Sequence, residues 1–301
     1  MKRIVLVLLI AFFAIGSVFA GGQQEKEAAV GSKNFTEQYI ISEMMAQLLE
    51  AEGFKVSRDF GMASTAVRNA LKTNQVDLYA EYTGTAWLTY LKKEEPINDP
   101  QQLFEEVKKA DMENGLVWLF LMDLNNTYAM AAKKEFAQKH NLETLSDLAE
   151  MINNNPGEIK FAIDFEFYER PDGFFGMAEH YGMNIPKDSK NVSTMEIGLS
   201  YDAVDSGDVD VAMVFATDGK LKKYDMVVLK DDKQFFPVYS LCPVVHEDAL
   251  SANPGIEDVL MPLKELVNEE VMVNLNYKVD AEGEEPEAVA EAFLKENGLI
   301  D

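Results

Sequence analysis

One cysteine, Cys242, stands among 301 residues, so no disulfide can form within the chain. Its neighbours Leu241, Pro243, Val244 and Val245 fit a buried small hydrophobe. Histidine is nearly as scarce. His140, His180 and His246 are far apart without ligand spacing, and no Cys pair joins them, so no metal site is expected. There is no Gly-rich phosphate loop and no G-x-S-x-G elbow. Acidic residues abound, but abundance singles out no catalytic pair. The chain carries few marks of an enzyme, and no cofactor is expected. Basic residues are outnumbered, 27 against 52, for a net charge of −25. No basic stripe interrupts that excess, which makes nucleic acid and anionic membrane surfaces poor partners.

Long apolar runs are missing everywhere but at the start. Met1-Lys2-Arg3 is basic, Ile4 to Ala14 is almost wholly apolar, and Val18-Phe19-Ala20 offers small residues for cleavage. Residues 1–20 read as a secretory signal peptide. The alternative, a retained anchor, is opposed by the shortness of the run and the lack of a basic far flank. No cysteine lies near the cleavage site to take a lipid. The mature protein is expected to be exported, periplasmic or otherwise extracytoplasmic, and soluble. Residues 21–29 are small and polar and read as a flexible lead-in. About 270 residues remain, enough for one large domain or two ordinary ones.

What is present is alternation. Val30 opens a strand-to-turn passage, and Asn34 and Glu37 stand at capping-box spacing. Ile40, Ile41, Met44, Met45, Leu48 and Leu49 follow at helical spacing and predict one apolar stripe. Strand patterns recur at Phe54–Val56, Val76–Glu81, Tyr128–Ala131, Ile159–Ile163, Val209–Phe215 and Met226–Leu229. Helical patterns fall at Ser64–Thr73, Ala86–Leu91, Leu145–Ile152, Gly173–Tyr181, Ile256–Leu266 and Pro286–Leu294. Such alternation predicts an α/β fold. No linker separates two halves, so two crossings between lobes are expected, near Leu124–Tyr128 and Pro237–Tyr239. Lobe 1 is then 30–125 plus 240–301, and lobe 2 is 126–239.

The most telling stretch is Tyr82-Thr83-Gly84-Thr85, where a strand ends and a helix begins. Open α/β sheets bind ligands at such edges. A helix start suits an anion and a ring face suits a cation, which together hint at a small zwitterion. Tyr128, Phe215 and Tyr239 share this placement at element ends, although any one of them is more often a core or rim ring. Lys33 and Arg170 are the cationic candidates: either solvated turn charges or a carboxylate clamp.

Three segments carry a resemblance: Gly31-Ser32-Lys33-Asn34-Phe35-Thr36-Glu37-Gln38-Tyr39-Ile40, Glu81-Tyr82-Thr83-Gly84-Thr85 and Arg170-Pro171-Asp172-Gly173. In this order they resemble substrate-binding proteins of osmoprotectant ABC transporters, from about Val30 to the C-terminus. The resemblance implies a two-lobed periplasmic-binding-protein fold, type II-like, that closes on its ligand. It implies capture of a quaternary ammonium compound, glycine betaine foremost, and delivery to a membrane permease by a monomer. The ammonium cage carries over to Tyr82, Tyr128, Phe215 and Tyr239, and the carboxylate set to Lys33, Thr85 and Arg170. Asn126 falls where relatives often have an acid, and Phe215 where they commonly have Tyr. Choline or an amino acid in the same fold, or an enzyme such as a dehydratase built on it, are the competing readings.

Overall fold

The computed structural model describes residues 26–94, 97–171 and 173–301. The expected signal peptide, residues 21–25 of the lead-in and Asp172 of the third motif lie outside them. Two five-stranded sheets form the molecule. The first contains β1 (Lys26–Lys33), β2 (Phe54–Met62), β3 (Leu78–Tyr82) and β4 (Leu116–Trp118). The second contains β5 (Tyr128–Lys133), β6 (Phe161–Ile163), β7 (Val192–Thr194), β8 (Val211–Phe215) and β9 (Met226–Leu229). The chain then returns to the first sheet as β10 (Leu241–His246).

Both sheets follow one plan. The orders are β2-β1-β3-β10-β4 and β7-β6-β8-β5-β9. In each, parallel strands lie on one side, and the strand adjoining a crossing inserts antiparallel beyond them. The two crossings run side by side. Asn126 N–H donates to the Tyr239 carbonyl at 3.1 Å and Leu241 N–H to the Leu124 carbonyl at 3.0 Å. The Tyr239 N–H also donates to the Asn125 side chain at 2.8 Å. The chain thus passes between the two sheets at two adjacent places.

Helix α1 (Thr36–Ala51) packs its stripe on the first sheet, with Ile40, Ile41, Met44, Met45 and Leu49 wholly buried. The opposite face is filled by Val67, Leu71, Phe104 and Trp118. Three details differ from expectation. The lead-in is shorter, because Lys26–Ala29 belong to β1 and pair in parallel with Phe54–Ser57 of β2. Ala28 is buried there, so this segment has an apolar side to hide. Asn34 does not cap α1 either. The cap position is Phe35, with no side-chain cap bond, and Glu37 turns to other partners. The helical pattern at 256–266 is divided, as Ile256–Leu260 and Pro262–Leu266, with Pro262 opening the second piece.

The turn after β3 is fixed by close packing. A Cβ on Gly84 would lie 2.7 Å from both the Tyr239 ring and the Val238 carbonyl oxygen. No side chain fits, so the Tyr82–Thr85 turn can sit directly against the second crossing. Gly84→Ala is therefore expected to destabilise by about 1–3 kcal/mol, as overpacking does. Urea unfolding with an unchanged midpoint would show that the turn and the crossing are not held together in this way.

Candidate functional site

A cavity of about 590 Å³ opens between the sheets, at the ends of their strands. Lys33 ends β1, Tyr82 ends β3, Phe215 ends β8 and Tyr128 begins β5. Seven of the eight residues expected from the sequence line it: Lys33, Tyr82, Thr85, Asn126, Tyr128, Phe215 and Tyr239. The eighth, Arg170, is not on the wall. Its guanidinium lies 5.1 Å from the centroid of the Tyr128 ring and donates to the Tyr128 hydroxyl at 3.2 Å. It also meets Glu166, which does line the cavity, at 3.4 Å.

The rings form a continuous chain. Tyr239 meets Tyr128 edge to face at 5.4 Å, and Tyr128 meets Phe215 at 5.2 Å. Phe215 meets Phe35 at 5.0 Å, and Phe35 stacks toward Tyr82 at 6.3 Å. Phe35 is thus a fifth aromatic wall residue that the sequence reading left unassigned. Its signal was present: it is an aromatic between a strand end and a helix start, the rule that selected the other four. Its place at the start of α1, with extended backbone, turns it toward the rings rather than into the helix core.

Lys33 is buried and its ammonium donates to Glu81 at 2.5 Å, while lying 4.9 Å from the Tyr82 ring centroid. Glu81 also accepts from the Tyr79 hydroxyl at 2.7 Å and the Tyr82 N–H at 2.6 Å. Lys33 is therefore a positioned charge, not a solvated turn lysine.

Glu37 holds the two sides of the cavity together. Its carboxyl accepts from the Tyr82 hydroxyl at 2.6 Å, the Asn126 amide at 2.9 Å and the Thr217 hydroxyl at 2.6 Å. Tyr82 belongs to the first sheet, Asn126 to a crossing, and Thr217 follows β8 of the second. Asn276, on the helix Glu269–Asp280, clasps the Thr217 carbonyl at 3.0 Å as well. Burial raises the Glu37 pKa above the ordinary carboxylate range, and the neutral side chains of Thr217, Tyr82, Asn126 and Asn276 only partly oppose this. Acids outnumber bases on the wall itself: Asp164, Glu166, Glu196, Asp218 and Asp280 against Lys33 and Lys220. Rings and acids together suit a cation. Among the described residues no cluster of side chains could hold a metal ion, and no helix is long and apolar enough to cross a membrane.

Comparison with known proteins gives consistent results. The family described as the substrate-binding domain of ABC-type glycine betaine transport systems matches residues 26–296. A glycine-betaine-binding protein of Pseudomonas aeruginosa is 36% identical over 306 residues, covering 100% of this chain and 97% of that one. An ergothioneine transport permease/ergothioneine binding protein, EgtU, of Helicobacter pylori is 37% identical over 92% of this chain and 48% of its own length. A crystal structure described as a glycine betaine/carnitine/choline ABC transporter superposes with a TM-score of 0.73. It shares 32% identity and covers 91% of this chain and 100% of that one.

The raised Glu37 pKa has a consequence for stability. A carboxyl whose folded pKa exceeds its unfolded value contributes fully in acid, and the contribution is lost as pH rises through the folded value. Glu37→Gln should thus narrow the difference in ligand-free stability between pH 5 and pH 8, with the wild type the more pH-sensitive of the two. Thermal unfolding at both pH values measures it; parallel pH dependence in the two proteins would place the proton elsewhere.

Proposed function

This chain belongs to the family of substrate-binding domains of ABC-type glycine betaine transport systems, and from that premise we propose that its cavity captures a small quaternary ammonium carboxylate, glycine betaine foremost. The protein then presents the ligand to a membrane permease. It works as an exported monomer, and it binds its ligand without turning it over. The observation that carries this reading is the chain of rings from Tyr82 through Phe35, Phe215 and Tyr128 to Tyr239 around one cavity.

The chemistry fits the ligand. A quaternary ammonium has no N–H to donate, so acceptors cannot read it by hydrogen bonding. Ring faces can, at about 0.5–2 kcal/mol each depending on desolvation. The ligand's carboxylate needs donors, and charged ones contribute about 1.5–3 kcal/mol each. Lys33 and Thr85 supply them at the wall. An ammonium has three donors, and among the described residues Glu81 is the acceptor that takes one of those of Lys33. Arg170 reaches the ligand directly only if its fork swings past Tyr128; in the present arrangement it supports that ring. The lobes we assign, 30–125 with 240–301 and 126–239, each hold part of the ring set, so ligand binding favours closure.

Two substitutions divide the labour. Tyr82→Ala is expected to weaken glycine betaine and choline alike, because its ring face would serve the ammonium that both carry. Arg170→Ala is expected to weaken glycine betaine by about 1.5–3 kcal/mol more than choline, which has no carboxylate and loses only the support given to Tyr128. Calorimetric titration of both ligands against both variants is the test. Equal losses for the two ligands in the Arg170 variant would make that residue a support for Tyr128 and not part of a clamp. If neither ligand binds the wild type while a plain amino acid does, the ligand class itself is wrong.

A further inference from the structure

Asp218 follows β8 at the end of the turn Phe215–Asp218 and lines the cavity beside the rings. Its carboxylate accepts from the Phe215 N–H at 2.9 Å and from the Tyr201 hydroxyl. Both donors are neutral, and no Lys or Arg pairs with it among the described residues. Tyr201 is 1% exposed and also lines the cavity. The groups that face Asp218 are mostly of its own sign: Glu37 on α1 and Asp280 on the helix Glu269–Asp280. Lys220, two residues along the chain, has its ammonium 5.8 Å from the centroid of the Tyr201 ring. Asp280 draws what help it has from Thr36, at 2.6 Å, and from Lys220 and Lys223.

We infer that Asp218 is the charge-sensing residue of the cavity: it becomes the counter-charge of a bound ammonium and releases to solvent the proton it shares in the empty site. This rests on the reading that the site takes a cation. The step balances simply. The carboxyl O–H bond breaks, the proton leaves to buffer, and the carboxylate remains between the Phe215 N–H and the Tyr201 hydroxyl. Three features converge on this residue and on no other acid of the wall. It is fixed to the backbone of a cage ring, it faces the cavity, and among the described residues no Lys or Arg forms an ion pair with it.

The titration agrees with the geometry. Burial, with Asp280 and Glu37 adding repulsion, pushes the Asp218 pKa up to about 7, while the Tyr201 and Phe215 donors work against it. A permanent cation entering the rings favours the ionised form and lowers that pKa. Linkage then requires that affinity for the cation rise with pH through the pKa of the empty protein. A cation met at neutral pH would therefore expel about half a proton per molecule bound, and its affinity would rise up to about tenfold between pH 6 and pH 8. A neutral solute of the same size would do neither, which adds a charge filter to what the rings read.

The test is calorimetry on the full mature chain, titrating glycine betaine and choline at pH 7 in phosphate and in Tris, buffers of low and high ionisation enthalpy. Both ligands are expected to show a buffer-dependent heat equivalent to about half a proton released. Asp218→Asn should bind with no buffer dependence. Tyr201→Phe, which removes a donor to the carboxylate, should shift the midpoint of proton release to higher pH, and it keeps the idea testable if the Asn variant fails to fold. Binding with equal heats in the two buffers would overturn the inference. So would proton release that survives in Asp218→Asn and vanishes in Glu37→Gln. If neither ligand binds the wild type, the cation reading fails first, and the role of Asp218 falls with it.

Discussion

The carboxyl of Glu37 is where the two halves of the molecule meet at the cavity, and much of the site's geometry depends on it. It takes one donor from a cage ring of the first sheet, one from a crossing and one from the turn after β8. Each bond is ordinary in length, but all three end on a group that is 2% exposed. A buried acceptor left without donors costs about 1–3 kcal/mol, more if charged. The relative placement of Tyr82, Asn126 and Thr217 is thus tied to a single side chain. Tyr82 cannot turn its ring, and Thr217 cannot draw away with the second sheet, without loss at the same carboxyl.

Around that tie the charges are distributed unevenly. The first sheet places a buried ion pair, Lys33 with Glu81, at the cavity, where Lys33 lines the wall. Removing one partner of such a buried pair typically costs about 3–5 kcal/mol, so the pair is part of the frame as well as of the wall. The second sheet contributes Asp164, Glu166, Glu196 and Asp218 to the wall and only Lys220 in return. On the proposed reading, a zwitterion would meet Lys33 and Thr85 from the first lobe and rings from both, Tyr82 and Phe35 on one side and Tyr128 and Phe215 on the other, so that each lobe alone would offer an incomplete environment.

Much of this was legible in the sequence because it is written in local patterns. The helical stripe of α1 and the strand ends at Tyr82 and Phe215 each follow from spacing within a short window. The residues that the resemblance carried over are brought to one cavity, except Arg170, which stands behind Tyr128. What could not be read depends on distant pairs. Glu37 has the spacing of a cap partner for Asn34, yet its partners are 45, 89 and 180 residues away. Lys33 resembles a surface turn lysine until Glu81, 48 residues on, is set beside it. Asp218 looks like an ordinary turn residue until Tyr201, Asp280 and Glu37 enclose it. Lys26–Ala29 read as lead-in because their alternation is short, and only β2 gives them a partner.

The central claim is that one ligand joins two lobes across a hinge made of paired crossings. Small-angle scattering of the mature protein, with and without saturating glycine betaine, tests it most directly. The account predicts a smaller radius of gyration in the bound form, with the ligand-free protein sampling a wider cleft than the one described here. A radius of gyration that stays the same while calorimetry shows the ligand bound would contradict it, and the cavity would then be a fixed receptor rather than a closing one.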